Sequence, residues 1–183
     1  MTIEPLTVDA LCALLLDGAR RDDEECLDLL AHALQCADLL ATRASDDVEL
    51  QIAGLVHDIG TVVDPDAMDT HAGRGGAIVA PLLGSRVGRL VAHHADAKRY
   101  LVATDPSYRS RLSPRSLGTL IEQGGVMREP EVASFATIDD LDAVLTLRRA
   151  DDDAKVPDRA VAGLETWRPI LDEISRASGS SRP

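Results

Sequence analysis

The sequence has few aromatic residues, with one Phe, one Trp and two Tyr among its 183 residues. So few rings offer little surface for stacking bases, which argues against single-stranded nucleic acid as a partner. Basic residues are also in the minority, with 19 Lys and Arg against 31 Asp and Glu and a formal net charge of −12. We therefore expect neither duplex nucleic acid nor an anionic membrane as a partner, although a local basic pocket would still accept a small anion.

Cysteines and long apolar runs are scarce as well. The three cysteines, Cys12, Cys26 and Cys36, are odd in number and lie in apolar segments, which predicts buried thiols and no disulfide framework. No apolar run approaches the roughly 20 residues of a membrane span, and no basic segment precedes the first apolar run. These features predict a cytoplasmic protein.

The spacing of apolar residues predicts an all-α fold. They recur every three or four positions, and no segment alternates in the manner of a β-strand. The length suits one hydrophobic core, and no linker interrupts the chain. We therefore predict a single compact helical bundle over residues 1–176, followed by a disordered tail over residues 177–183.

Capping residues predict where the helices begin and end. The predicted caps are, in chain order, Thr7 or Asp9 for a first helix, Asp22 or Asp23 for a second, Ser45 or Asp46 for a third that ends at Asp58 or Ile59 with Gly60 as its C-terminal glycine, and Ser113 with Pro114 for a later helix. Further helices are predicted over residues 71–83, 85–101, 130–135, 138–150 and 160–176. Gly73, Gly75 and Gly76 weaken the first of these unless another backbone passes close by.

The histidines are the main indication of function, because all five lie between residues 32 and 94. His32 lies within an apolar helical segment, where an unpaired imidazole would be costly to bury and a metal ion would satisfy it. His57 and Asp58 are adjacent, and a carboxylate can bridge two cations through its two oxygens. Imidazole and carboxylate ligands suit Fe, Mn, Co, Ni or Zn. The sequence therefore predicts a dinuclear metal site formed by His32, His57, Asp58, His71 and either His93 or His94.

Several segments extend this pattern into a resemblance to a known family. A histidine, a His-Asp pair and a distant aspartate occur as His32, His57 with Asp58, and Asp151. The other matching segments are HALQ at 32–35, VAHHADAKRYL at 91–101, SPRSLGTLIEQGG at 113–125 and LRRADDDAK at 147–155. Over residues 25–160 the chain resembles the HD-domain superfamily, in its PhnZ-type branch of mixed-valent diiron oxygenases. That branch is related to myo-inositol oxygenase and cleaves the carbon–phosphorus bond of hydroxylated aminophosphonates.

The resemblance implies two iron ions. His32, His57, Asp58 and Asp151 would hold one ion, and a shift of one residue from Asp151 to Asp152 stays open. His71 and His94 would hold the other ion, with Asp58 as the bridge. Lys98 follows His94 by one helical turn, so both side chains would face one pocket, which favours His94 over His93.

The resemblance also implies a site for a small anion, with O2 as the second substrate. Lys98 and Arg148 would bind a phosphonate or phosphate group, with Asp58 as the third catalytic residue. Ser116, Thr119 and Gln123 would donate further hydrogen bonds. Glu25 corresponds to the glutamate that reads the substrate amine in the resembled enzymes.

Two positions depart from the resembled pattern. Asp22 stands where the phosphonate-cleaving members carry a tyrosine, and Thr61 stands where they carry a second histidine. The substrate is therefore left open, as is the oligomeric state. A second hypothesis is a phosphohydrolase that holds Mn, Zn, Co or Mg and attacks a phosphate ester or nucleotide with a metal-bound hydroxide. A third is a metal-binding sensor without catalysis.

Overall fold

The structure is a computed structural model that describes residues 6–19, 27–66 and 68–180. Within these residues the chain forms ten α-helices and one short 3-10 turn, and no β-strand. The helices are α1 (Val8–Gly18), α2 (Leu29–Arg43), α3 (Val48–Val56), α4 (Ile59–Val63), α5 (His71–Leu83), α6 (Ser85–Thr104), α7 (Pro114–Glu122), α8 (Glu129–Phe135), α9 (Leu141–Asp153) and α10 (Leu164–Ser180). The predicted all-α fold is confirmed.

Four helices surround the centre of the bundle. α2 packs on α3 and α9, and α6 packs on α3, α5 and α9. Their facing sides bury large aliphatic residues completely, among them Leu40, Ile52, Leu90 and Leu147. Each such side chain contributes about 2 kcal/mol through its burial. The helices that carry His32, His94 and Asp151 are thus held in place by the main core.

Two predicted caps are confirmed and two are wrong. Thr7 accepts a hydrogen bond from the backbone of Ala10 at the start of α1, and Ser113 caps α7 in the same way. Asp28 caps α2 and Asp47 caps α3, so both helices begin later than predicted, and the predicted caps Asp22 and Asp23 lie outside the described residues. Nearby Asp and Ser residues have similar capping strengths, so spacing alone did not select between them.

The sequence predicts that Gly60 ends the third helix, and this prediction is wrong. α3 ends at Val56, the chain turns through His57 and Asp58, and Gly60 lies inside α4. Its role is to give room, because a β-carbon at this position would lie 2.0 Å from the carbonyl oxygen of His71. The turn lets these two neighbours in sequence bring their side chains together, with His57 Nε2 3.3 Å from Asp58 Oδ2.

Two glycines of α5 allow it to approach α6 and α4 closely. A β-carbon at Gly76 would lie 2.4 Å from the carbonyl oxygen of Gly88, and one at Gly75 would lie 3.2 Å from the backbone nitrogen of Gly60. The predicted close approach is confirmed for these two positions. Gly73 has open space around it and has no such role.

The last two helices lie later in the chain than predicted. α9 begins at Leu141 and includes Asp151, and α10 continues to Ser180, where the Ser180 hydroxyl donates to the carbonyl of Arg176. The tail predicted to be disordered from residue 177 is therefore helical as far as Ser180. Residues 181–183 lie outside the described part of the chain. No helix among the described residues is long and apolar enough to cross a bilayer.

Candidate metal centre

One cluster of ligand atoms joins α2, α3 and α9. The Nε2 atom of His32 lies 3.2 Å from Nε2 of His57 and 3.2 Å from Oδ1 of Asp151. His57 Nε2 also lies 3.7 Å from Oδ2 of Asp151 and 3.3 Å from Oδ2 of Asp58. His32, His57 and Asp151 are almost completely buried. Two imidazoles and two carboxylates thus converge on one point, as ligands of a single metal ion would.

A second cluster joins α5 and α6. The Nε2 atoms of His71 and His94 lie 3.1 Å apart. They lie 3.5 Å and 3.4 Å, respectively, from Oδ1 of Asp58. Asp58 therefore directs Oδ2 towards the first cluster and Oδ1 towards the second. This is the arrangement expected of a carboxylate that bridges two cations.

The four clustered histidines are all oriented by the backbone. In each ring Nδ1 lies within hydrogen-bond distance of a carbonyl oxygen, which makes Nδ1 the donor and leaves Nε2 with a free lone pair. The acceptors are the carbonyls of Ala154 for His32 (2.9 Å), Gly54 for His57 (2.8 Å), Met68 for His71 (2.6 Å) and Val91 for His94 (2.7 Å). Since a metal ion binds the unprotonated nitrogen, this donor set fits two metal ions.

Both clustered carboxyl groups carry negative charge. Burial raises the pKa of Asp58, but His57 and His94 outweigh it and hold the pKa well below its usual range. Burial acts in the same direction on Asp151, and Arg148, His57 and His32 hold its pKa well below its usual range. Burial lowers the pKa of His94 to about 4, so this ring is neutral. Burial also opposes the charge on His57, but Asp58 and Asp151 outweigh it and raise the pKa of His57 to about 9, so this ring must release a proton when a metal ion binds. Neutral imidazole and ionised carboxylate are the forms that bind metals.

A cavity of about 330 Å³ opens beside the two clusters. Its lining includes five of the clustered ligands, His32, Asp58, His71, His94 and Asp151. It also includes a cationic and polar group formed by Lys98, Arg115, Ser116, Thr119, Gln123, Arg148 and Lys155. Leu29, Thr61, Pro65 and Met68 complete the lining. The structure thus brings together all the predicted metal ligands and every predicted substrate-binding residue among the described ones.

Lys98 is buried, and its Nζ donates to Oγ1 of Thr119 at 2.7 Å. Burial, followed by the positive charge of Arg148, lowers the pKa of Lys98 to about 7. An anion bound in the cavity would raise the pKa of Lys98 again.

Arg148 is also buried but already has anionic partners. Its Nη1 lies 2.5 Å from Oδ2 of Asp151, and its Nη2 donates to Asp152. The other oxygen of Asp152 accepts from the hydroxyl of Tyr108. Asp152 therefore holds Arg148 and Tyr108, whereas Asp151 lies with the histidines. The Nε atom of Arg148 and Oε1 of Gln123 are both buried without a partner in the described structure.

The remaining predicted residues lie elsewhere or outside the described structure. His93 points away from the clusters and packs edge-on against Phe135, with ring centroids 5.8 Å apart. Asp22, Glu25 and Cys26 lie outside the described residues. Arg115 and Lys155 were not predicted as site residues, although Lys155 ends the segment LRRADDDAK on which the resemblance rests.

Comparisons with known proteins identify a matching family model and three similar proteins. The family model of the HD domain matches residues 24–144. The chain is 34% identical over 167 residues to the [1-hydroxy-2-(trimethylamino)ethyl]phosphonate dioxygenase (glycine-betaine-forming) of Leisingera caerulea, which covers 85% of each chain. It is 32% identical over 178 residues to the hydroxymethylphosphonate dioxygenase of Gimesia maris, covering 90% of this chain and 86% of the relative. An uncharacterized mimivirus protein, L432, is 26% identical over 154 residues, covering 79% of this chain and 70% of its own.

Proposed function

Because this chain belongs to the HD-domain family, in the oxygenase branch that its sequence segments predicted, we propose that it is a diiron oxygenase of a small hydroxylated phosphonate. In the proposed reaction one O2 is consumed for each substrate molecule. The carbon–phosphorus bond breaks, the hydroxyl-bearing carbon becomes a carboxylate and the phosphorus leaves as phosphate. A related anionic substrate with the same functional groups would react in the same way.

The position of Asp58 between two pairs of histidines carries this proposal. Its two oxygens point to different clusters, at 3.3 Å from His57 and at 3.4 Å from His94. A single metal ion would leave the Nε2 lone pairs of one cluster buried without a cation or a hydrogen-bond donor, which would be costly. The geometry supports two metal ions with Asp58 as their bridge.

His32, His57, Asp58 and Asp151 would hold one iron ion, and His71 and His94 would hold the other, again with Asp58. When bound, a mixed-valent Fe(II)/Fe(III) pair supplies the redox chemistry that O2 activation needs. The same ligand types accept Mn or Zn, and carboxylates accept Mg, so the identity of the metals is part of the proposal.

The cationic side of the cavity would bind and orient the phosphonate. Lys98 supplies an ammonium group there and Arg148 a guanidinium group, while Ser116 and Gln123 offer further hydrogen bonds. These residues would turn the hydroxyl-bearing carbon towards the metal clusters that line the same cavity, which is the positional part of catalysis. The cavity volume of about 330 Å³ lies near the lower end of ligand pockets, which favours a small substrate over a nucleotide.

A metal-dependent phosphohydrolase is the second candidate function. Thr61 favours it, because it lines the cavity where the resembled phosphonate-cleaving enzymes carry a histidine. The same anion site would then bind a phosphate ester, and the reaction would need water and no O2.

Oxygen dependence separates the two functions. Protein loaded with ferrous iron would be assayed for metal content, O2 uptake and phosphate release with hydroxymethylphosphonate and with 1-hydroxy-2-(trimethylamino)ethylphosphonate. We expect two irons per chain, a coupled mixed-valent paramagnetic resonance signal after partial oxidation, and one phosphate released per O2 consumed. Phosphate release from phosphate esters under anaerobic conditions, without turnover of either phosphonate, would favour the hydrolase.

A further inference from the structure

Lysine is rare in this chain. Of its 19 basic residues, 17 are arginines and only Lys98 and Lys155 are lysines. Both lysines line the cavity beside the metal clusters. Arginine serves at the surface ion pairs, for example in Arg43 with Asp153 and Arg159 with Asp38. The two positions that keep lysine are therefore both in one cavity, which points to a shared requirement for an ammonium group.

Each of the two lysines also donates a hydrogen bond to a hydroxyl group of α7. Lys98 donates to Oγ1 of Thr119 at 2.7 Å, and Lys155 donates to Oγ of Ser116 at 2.8 Å. The two hydroxyls lie one turn apart on the buried face of α7. Thr119 in turn donates to the carbonyl of Ser116. Since a hydroxyl that accepts a hydrogen bond keeps its own proton, Ser116 retains a donor for an anion.

The backbone on both sides of Lys155 is held in place. The carbonyl of Ala154 accepts from His32, one of the clustered histidines. The amide of Gln35, which is completely buried in α2, donates to the carbonyl of Val156 at 2.8 Å and accepts from its backbone N–H at 3.1 Å. Lys155 is thus fixed between a metal-binding ring and an amide clamp, which limits the directions its side chain can take.

Arg148 lines the cavity, but its positive charge is already offset by neighbouring carboxylates. Its guanidinium group contacts both Asp151 and Asp152, so two carboxylates already offset its single charge. Neutralising a doubly charged ligand therefore calls for cations other than Arg148.

We propose that Lys155 binds the substrate directly and that, together with Lys98, it neutralises the two negative charges of a phosphonate dianion. Gln35 acts through Lys155 as a positioning residue. This inference rests on the proposed function and deepens it, because it states that the site selectively binds the doubly charged form of the phosphonate group. An ammonium group suits this role because it is compact and turns its three donors freely, whereas a guanidinium fork requires a flat, two-point partner.

The test compares two ligands of nearly equal shape and different charge. Methylphosphonate, at a pH above its second ionisation, and methanesulfonate would be titrated calorimetrically into the iron-loaded wild-type protein and into Lys155→Met. We expect Lys155→Met to bind methylphosphonate about ten-fold more weakly or worse, and methanesulfonate with a much smaller change. Lys155→Gln keeps a polar side chain of similar length and should show the same selective loss.

Arg159→Met is the matched control, because Arg159 lies four residues further along the same segment and pairs with Asp38 instead of lining the cavity. It should bind both ligands as the wild type does. Iron content and helical circular dichroism would be measured for every variant. Unchanged methylphosphonate binding in both Lys155 variants, an equal loss for both ligands, or a wild type that binds no methylphosphonate would each overturn the proposal.

A second measurement needs no variant. Acetylation of the wild-type protein would be mapped by mass spectrometry, with and without methylphosphonate, and the two lysines give two peptides to follow. We expect methylphosphonate to protect Lys155, and equal labelling in both conditions would contradict direct binding. If protection and charge selectivity hold but no phosphonate is oxidised with O2, the proposed function fails while the assignment of Lys155 stands.

Discussion

Gly60 of α4 lies against the carbonyl oxygen of His71 at the start of α5, so closely that a β-carbon at residue 60 would be 2.0 Å from that oxygen. This contact joins the segment that carries Asp58 to the segment that carries His71. Across the same junction, His71 Nε2 lies 3.5 Å from Asp58 Oδ1.

Gly60→Ala should therefore destabilise the fold and disturb the second metal cluster. The backbone at residue 71 must move to admit the methyl group, so we expect a loss of about 1–3 kcal/mol or more in the free energy of unfolding. Urea denaturation and iron content would measure both effects. Gly73→Ala is the control, since its β-carbon meets open space, and helix propensity should make it neutral or stabilising. Equal effects of the two substitutions would contradict the role of Gly60.

Asp58→Ala should remove both metal ions, because it deletes the ligand that the two clusters share. The remaining histidines would keep their orientation through the backbone carbonyls but would lose the negative charge between them. Metal analysis of purified protein should fall from about two ions per chain towards none. Asp153→Ala, which removes an exposed carboxylate that pairs with Arg43, should retain both ions. Two ions and full activity in Asp58→Ala would contradict the bridging assignment.

Phosphonate binding should be accompanied by proton uptake at Lys98. Its pKa is lowered to about 7 by burial and by Arg148, so most of the free protein is neutral at this position at pH 8.5. Bound metal cations would act in the same direction. A phosphonate dianion raises the pKa again, so a proton is taken up on binding above pH 7 and little is taken up below about pH 6.

Calorimetry of methylphosphonate binding in two buffers of different ionisation enthalpy would measure that uptake. Lys98→Met should bind more weakly and abolish the dependence on buffer. A wild type whose binding heat at pH 8.5 is independent of the buffer would contradict the prediction.

Arg86 should stabilise the fold in a pH-dependent manner. It donates to Asp47, the cap of α3, and to Asp140, the cap of α9, and its pairing lowers the pKa of both carboxyl groups. A carboxyl whose pKa is lower in the folded state contributes stability above its unfolded pKa of about 3.9 and loses it as the pH falls through the folded pKa. Arg86→Met should therefore cost about 1–2 kcal/mol at pH 7 and progressively less below about pH 4.

Urea unfolding of the variant at several pH values would measure this difference. Arg89→Met is the comparison, because Arg89 is more exposed and its only ion pair in the described structure is with Asp140. Its cost should stay within about 0.5 kcal/mol. A difference between wild type and Arg86→Met that does not change with pH would indicate lost packing instead of lost ion pairs.

Residue types and local spacing were enough to predict the helical class and five of the six clustered residues, whereas Asp151 was predicted only from the resemblance to the HD-domain superfamily. A buried imidazole needs a partner wherever it lies, so five histidines in one stretch with an adjacent aspartate indicated a metal site before any fold was known. The one-turn spacing of His94 and Lys98 likewise selected His94 over His93, because helical periodicity is a local property.

Tertiary structure decided the features that depend on residues far apart in the chain. Gly60 has the sequence context of a helix end, yet its role is set by a contact with His71. Asp151 and Asp152 are neighbours of the same type, and only the packing of α9 turned one towards His32 and the other towards Tyr108. Lys155 lines the cavity, and the backbone next to it at Val156 is held by Gln35, 120 positions before Lys155. Local patterns determine which groups need partners, and packing across the chain determines which partners they obtain.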